Sequence, residues 1–471
     1  MAQRELYIDR LRTAMTALVI LHHTAITYGG SGGWFYREVE TSAHPSSLLL
    51  TLFCATNQSY FMGIFFLLAG YFTPASLQRK GFARFMGDRF LRLGLPLLGF
   101  ALLLGPLTVA MVNSAQGGGF WPCIATLWRE RAFLYGPLWF AQALLIFSLG
   151  YGAWRAMFGP PPMVTLRPSN PWSSLGWWLL NIPGLALIIF SIRLLVPLRV
   201  IFGPSIVALK TAFHARGLLP KFVLLWRERA FFAGSLWIAA ALLFFVLYFL
   251  PWRRICGLRK NDPSESGQRL SVLPAWPAWL CGALVVGAAA IAIRQVAPLD
   301  TGLFGFFASY IFLFIVGVKA KSRNWLAQLS WKDARPWIVI ACIAWPALPI
   351  GIALAIKQIG LGKANFSGGL TWPAILYAFW EPFVAWGIIA FLLLWFRSRL
   401  NQPSALGTWL GRRAYAVYII HPPVLVGITL LLHGWAAPAL VKFGVVGTLA
   451  CISCWLVADP LVRLPGVRRV I

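Results

Sequence analysis

The sequence predicts an all-α fold: a polytopic transmembrane helical bundle of about 12 spans, with both termini cytoplasmic. Three observations predict it. Of 471 residues, 59% are hydrophobic and only 11% charged, with a mean hydropathy of +0.72, which excludes a soluble globular or disordered chain. Apolar runs long enough to cross a bilayer recur along the whole chain, and the basic residues fall between them. The net charge of +28, from 41 Lys+Arg against 13 Asp+Glu, would suggest a nucleic-acid partner only if those residues shared one face with interleaved aromatics. Here they punctuate apolar runs, so the partner expected is the lipid bilayer and no nucleic acid.

The predicted spans are approximately 13–30, 48–76, 93–112, 136–157, 176–196, 234–251, 277–296, 303–320, 337–356, 371–396, 415–432 and 439–459. The first carries two histidines and no small-residue cleavage site before Gly29, so it reads as a span and not as a cleaved signal peptide. Lys and Arg in alternate connections number 27 on the side of the N-terminus and 11 on the other, which places the termini in the cytoplasm of an inner-membrane protein. Six of the 11 lie between 197 and 233; charge parity in the later loops makes that segment a dip or an interfacial stretch, interrupted by Arg199 and Lys210.

The heptapeptide LWRERAF occurs at Leu127–Phe133 and again at Leu225–Phe231, and further matches hold the same offset. A tandem repeat is therefore expected over about 92–198 and 193–299, giving a ten-span core that gained two spans within a single membrane-embedded domain, 1–471. A transporter's inverted repeat normally relates the two halves of the chain instead. Cys451 and Cys454 form a C-x-x-C inside the last apolar run, where thiols pack as small apolar groups, and no metal is expected.

Candidate chemistry concentrates in a few polar residues within spans. Arg12 and His23 lie eleven residues apart, about three helical turns and roughly 16.5 Å, so they share a face from which His22 points about 100° away. An imidazole inside a span needs a wet cavity or a partner; His23 reads either as a general base or as an interhelical hydrogen-bonding group. Arg12 reads as a phosphate or carboxylate ligand, or as a positive-inside anchor. Arg79, Lys80, Arg84, Arg89 and Arg92 form a cytoplasmic cluster suited to a phosphate-rich molecule, to anionic lipid, or to topology alone. Glu381 is a carboxylate well inside a span, a site candidate unless it merely pairs with Arg294 or Arg193. Tyr415, Tyr418 and His421 recur every three residues before Pro422-Pro423, which break the backbone hydrogen-bond ladder; His421 either acts directly or satisfies the break.

Together these segments resemble the bacterial membrane O-acyltransferases of the acyltransferase 3 type, in the glucan biosynthesis protein C-like branch. The likeness is carried, in family order, by YIDRLR with the Arg-x10-His spacing to His23, FMGIFFLLAGYF, GPLWFAQALLIFSLGY, FASYIFLFIVGVKA, LYAFWE and AYAVYIIHPPVLV. It implies an enzyme that moves an acetyl- or succinyl-type group from cytoplasmic acyl-CoA to a hydroxyl of a periplasmic or cell-envelope glycan or lipid-linked saccharide. It implies Arg12 and His23 as the essential pair, His23 being the base or a transient acyl carrier. Glu381 and His421 join the catalytic candidates; Arg79, Arg89, Arg92 and Tyr418 are the candidates for holding the donor. Two departures stand out: Ala69 occupies a position where the family usually has Ser, and the repeat separates elements that are normally adjacent. The alternative is a transporter or flippase for a glycan, lipid or acyl group, without covalent chemistry.

Overall fold

A computed structural model describes residues 5–470 apart from 43, 131, 159–272, 297, 300–302 and 361–364. The described residues are helical, and eight helices are long and apolar enough to cross a membrane. In chain order the elements are α1 (Leu6–Thr27), α2 (Pro45–Lys80), α3 (Phe82–Ala115), the short α4 (Phe120–Arg129), α5 (Trp139–Phe158), α6 (Trp276–Val296), α7 (Phe307–Ser322), α8 (Trp331–Ala344), α9 (Ala347–Ile359), α10 (Trp372–Arg399), α11 (Ala405–Leu431) and α12 (Ala439–Leu461). Ten of the expected spans fall on these helices, with α8 and α9 together forming one. The spans expected at 176–196 and 234–251, the segment 197–233 and most of the second repeat copy lie outside the described residues.

Lipid chains are as apolar as leucine, so helices in a bilayer associate through close packing rather than through escape from water. Gly70 of α2 and Gly317 of α7 show how close. A Cβ on Gly70 would stand 2.1 Å from the Phe314 carbonyl oxygen, and one on Gly317 would stand 2.0 Å from that of Leu67. The two backbones touch where each helix lacks a side chain. Around this seam Phe66 packs edge-on to Phe140 at 4.9 Å and stacks on Tyr310 at the same distance, tying α2, α5 and α7 together. Helix α1 packs against α2, α10, α11 and α12 and so lies inside the bundle.

Prolines inside the helices follow one rule. A proline at position i cannot donate to the carbonyl at i−4, and within a membrane that carbonyl needs another donor. Helix α3 contains two π-helical stretches, Phe90–Gly94 and Phe100–Leu104, near Pro96 and Pro106. The Arg92 carbonyl, four residues before Pro96, accepts from the Tyr415 hydroxyl at 2.7 Å; the Leu102 carbonyl, four before Pro106, accepts from Trp128 Nε1 at 2.9 Å. These contacts dock α3 against α11 and α4. Pro422 in α11 frees a third carbonyl, that of Tyr418, at the heart of the candidate site.

Candidate active site

Helix α1 is continuous from Leu6 to Thr27, so the three-turn relation of Arg12 to His23 holds. His22, 7% exposed, faces another way, onto Phe61 at 4.9 Å. His23 retains part of its surface, whereas His421 of α11 is completely buried. The two meet through His23 Nδ1 and His421 Nε2 at 3.1 Å. Their rings are within 7° of parallel with centroids 5.2 Å apart, too far for a face-to-face contact. They lie edge to edge in nearly one plane, joined along the N···N axis.

The protons on this pair follow from Pro422. The Tyr418 carbonyl that Pro422 leaves unpaired lies 2.7 Å from His421 Nδ1. A carbonyl only accepts, so Nδ1 of His421 carries the proton and its Nε2 is left with a lone pair. That lone pair can accept only from a protonated His23 Nδ1. The neutral His23 therefore keeps its own lone pair on Nε2, facing away from the partner. The tautomers are assigned from this hydrogen-bond network. A backbone break thus fixes, two bonds further on, which nitrogen of His23 can take a proton.

The loop that follows α1 covers the pair. Trp34 lays its indole on the His23 ring at 3.8 Å and 11°, and reaches His421 at 5.7 Å and 10°. The loop is pinned at many points. Glu38 and Val39 amides donate to the Thr27 carbonyl at 2.9 and 3.1 Å, and Arg37 donates to the Gly30 carbonyl at 3.1 Å and that of Gly32 at 2.6 Å. Lys442 of α12 pairs with Glu38 at 2.5 Å. Burial, and then Glu38, raise the Tyr36 phenol above its ordinary value, and its hydroxyl shares a hydrogen bond with His433 Nδ1 at 3.1 Å. Gly30 cannot be larger, since a Cβ there would stand 2.8 Å from the Ala25 carbonyl oxygen and 2.9 Å from Cys54 Sγ.

Tyr418 stands beside the pair rather than among the basic residues expected to be cytoplasmic. Its ring faces Phe140 edge-on at 6.1 Å and its hydroxyl donates to the Pro137 carbonyl. The expected cytoplasmic residues are distributed as follows. Arg12, half exposed, lies 3.9 Å from Asp9 and close enough to Tyr415 to act on it electrostatically. Tyr415 in turn donates to the Arg92 backbone carbonyl, so Arg12 and Arg92 neighbour the same tyrosine. Arg92 Nε and Lys80 Nζ both reach Asp88, at 3.1 and 2.7 Å. Arg89 lies over Phe85 at 5.0 Å with its Nε–H buried and without a hydrogen-bond partner among the described residues, while Arg79 is exposed. Arg155 of α5, which sequence reasoning passed over, also buries a guanidinium N–H that has no partner among the described residues, beside Tyr151 and Trp154.

Glu381 belongs to a different cluster. Its carboxylate pairs with Arg294 of α6, with side chains 7% and 1% exposed. Arg294 also donates to the Gly305 carbonyl at 3.3 Å and lies over Phe306 and Tyr377. Of the two partners open from sequence, Arg294 pairs with Glu381, while Arg193 lies outside the described residues. Sequence reasoning missed Trp34, the contact between the two imidazoles, and the tautomer that Pro422 imposes. The last was within reach, because a proline always frees the carbonyl four residues before it; nothing in the loop around Trp34 signals its stack.

An all-helical bundle with membrane-spanning helices and an imidazole pair between α1 and α11 defines a polytopic membrane protein with a candidate acid–base site, and comparison with known proteins narrows the class. The family model described as an acyltransferase domain, of the acyltransferase 3 type, matches residues 5–459; the chain belongs to this family. It is also similar to the glucans biosynthesis protein C of Escherichia coli strain K12, 29% identical over 151 residues, which is 31% of this chain and 38% of that protein. The protein of the same name from strain SMS-3-5 is 30% identical over a stretch of the same length. The match thus spans well under half the length of these relatives. No solved structure matches the chain.

Proposed function

We propose that the protein is an inner-membrane O-acyltransferase that carries an acetyl- or succinyl-type group from cytoplasmic acyl-CoA to a hydroxyl of a periplasmic or cell-envelope glycan or lipid-linked saccharide. The observation that carries this reading is the His23–His421 contact, whose hydrogen bonds leave His23 Nε2 as a free base. In the proposed reaction Nε2 takes the proton of the acceptor hydroxyl as its oxygen attacks the thioester carbonyl carbon. The tetrahedral intermediate collapses with cleavage of the C–S bond, and the same nitrogen returns the proton to the departing thiolate. His421 touches no substrate; it positions His23. A transporter or flippase without covalent chemistry requires no general base beside an acceptor hydroxyl.

In this reading Arg12, three turns from His23, guides the donor's phosphates at the cytoplasmic mouth, with Arg92 beside it and Arg79 and Arg89 further along α2 and α3. Tyr418 supports His421 through its carbonyl. Glu381 is assigned to holding α10 against α6 through Arg294. Both termini are cytoplasmic and the full chain has twelve spans, two of them from the repeat. The test is His23→Ala in a purified, lipid-reconstituted acyl-transfer assay. The expected result is loss of transfer in a protein that still elutes as a single folded species; near-wild-type turnover would remove His23 from the mechanism.

A further inference from the structure

We propose that Trp34 is a positioning residue whose indole face stabilises the positive charge that arises on the imidazole pair during proton transfer. This rests on the reading of His23 as the base. The partner of His23 Nδ1 is a neutral imidazole, so when Nε2 takes a proton the pair acquires a full positive charge that no carboxylate on the hydrogen-bonded nitrogen offsets. Such a charge inside a bundle is costly unless something polarisable or negative faces it.

The indole is placed to do this. The imidazoles lie edge to edge in one plane, and Trp34 runs parallel to both, with centroid separations of 3.8 Å to His23 and 5.7 Å to His421. Both distances fall within the roughly 6 Å over which an aromatic face attracts a cation, and indole is the strongest of the aromatic faces. The charge is therefore covered whichever ring carries it. Nor is the ring held through its polar atom, since Trp34 Nε1 is buried without a hydrogen-bond partner among the described residues. What Trp34 offers the site is its π face. The attraction is weak while His23 is neutral and grows as the proton arrives, so it lowers the barrier rather than deepening the ground state. The pinned loop keeps the ring in register, with the Phe35 side chain buried beside it.

The experiment replaces Trp34 with mono-, di- and tetrafluorotryptophan by codon suppression, which withdraws electron density from the face at nearly constant shape. With acetyl-CoA as donor, kcat is expected to fall with each added fluorine, to about five- to thirtyfold in the tetrafluoro protein, with KM for the donor unchanged. Trp34→Phe should lose part of kcat and Trp34→Leu more. A flat kcat across a series whose members elute as folded protein overturns the proposal, as does a change confined to KM. His23→Ala is run beside it. If that variant is inactive and the series is flat, the inference about Trp34 fails and the reading of His23 stands; if it remains active, the reading beneath both is gone.

Discussion

Replacing Pro422 with alanine separates the stability of α11 from the chemistry assigned to it. Alanine restores an amide N–H that reaches for the Tyr418 carbonyl in the ordinary helical manner, and it removes the ring from a helix interior, where proline is about 3 kcal/mol less favourable than alanine. The native backbone has already adapted to the ring, so the gain in stability is some fraction of that figure, but its sign is positive. The Tyr418 carbonyl can accept two hydrogen bonds, so His421 Nδ1 faces competition rather than exclusion. Its preference for keeping a proton on Nδ1 weakens by at most the net worth of one hydrogen bond, about 0.5–1.5 kcal/mol. The tautomer with His23 Nε2 free becomes less populated, and turnover falls, by about twelvefold at most. The assay is initial-rate thiol release from acyl-CoA by reconstituted Pro422→Ala protein, alongside its thermal midpoint. The expected signature is a slower enzyme that melts no lower than wild type. Wild-type turnover with a raised midpoint would show that the proline-freed carbonyl does not set the tautomer, and the proton assignment would fall with it.

Four further outcomes follow from the geometry. Removing the base's support with His421→Ala should lower kcat by about a hundredfold or more, within the range of general acid–base catalysis, with little change in KM. Arg12→Ala should raise KM for acyl-CoA and weaken its binding in titration calorimetry; unchanged binding would refute its assignment to the donor. Glu381→Ala leaves Arg294 charged and buried and should destabilise the protein by about 3–5 kcal/mol, visible as a lower thermal midpoint, while the paired exchange Glu381→Gln with Arg294→Met should recover much of it. Gly317→Ala drives a methyl into the backbone of α2 and should cost at least about 1–3 kcal/mol, with reduced yield of folded protein.

Most of the fold was legible because a bilayer demands long apolar runs, and such runs need no partner to be recognised. Helix α1 was the harder case: Asp9, Arg10, Arg12 and two histidines dilute its apolar character, and it was the histidines that marked it as part of the site. The spacing of Arg12 and His23 could be read because a straight helix converts sequence distance into angle. That His23 meets His421, 398 positions away, could not be read, since pairing between distant helices depends on packing. Gly70 pointed to a close approach without naming Gly317 as the other side of it. The Glu381 partner was narrowed to two arginines and settled only by the placement of α6. Trp34 carried no signal at all, because a loop residue stacks where its anchors put it, and those anchors are carbonyls of Thr27, Gly30 and Gly32.

The prolines join these observations. Pro96, Pro106 and Pro422 each delete one backbone donor, and each orphaned carbonyl is taken by a side chain: Tyr415, Trp128 and His421. Two of the three bonds serve assembly, fastening α3 to its neighbours where a hydrophobic driving force is absent. The third has the same physical origin but closes within α11 and spends its donor on fixing a proton. A helix that gave up no hydrogen bond at Pro422 would hold His421 equally well in space, but its Tyr418 carbonyl would already have a donor and would draw the Nδ1 proton less strongly. The break in the ladder thus reinforces the direction of the imidazole pair, with the lone pair on His23 Nε2 aimed away from His421.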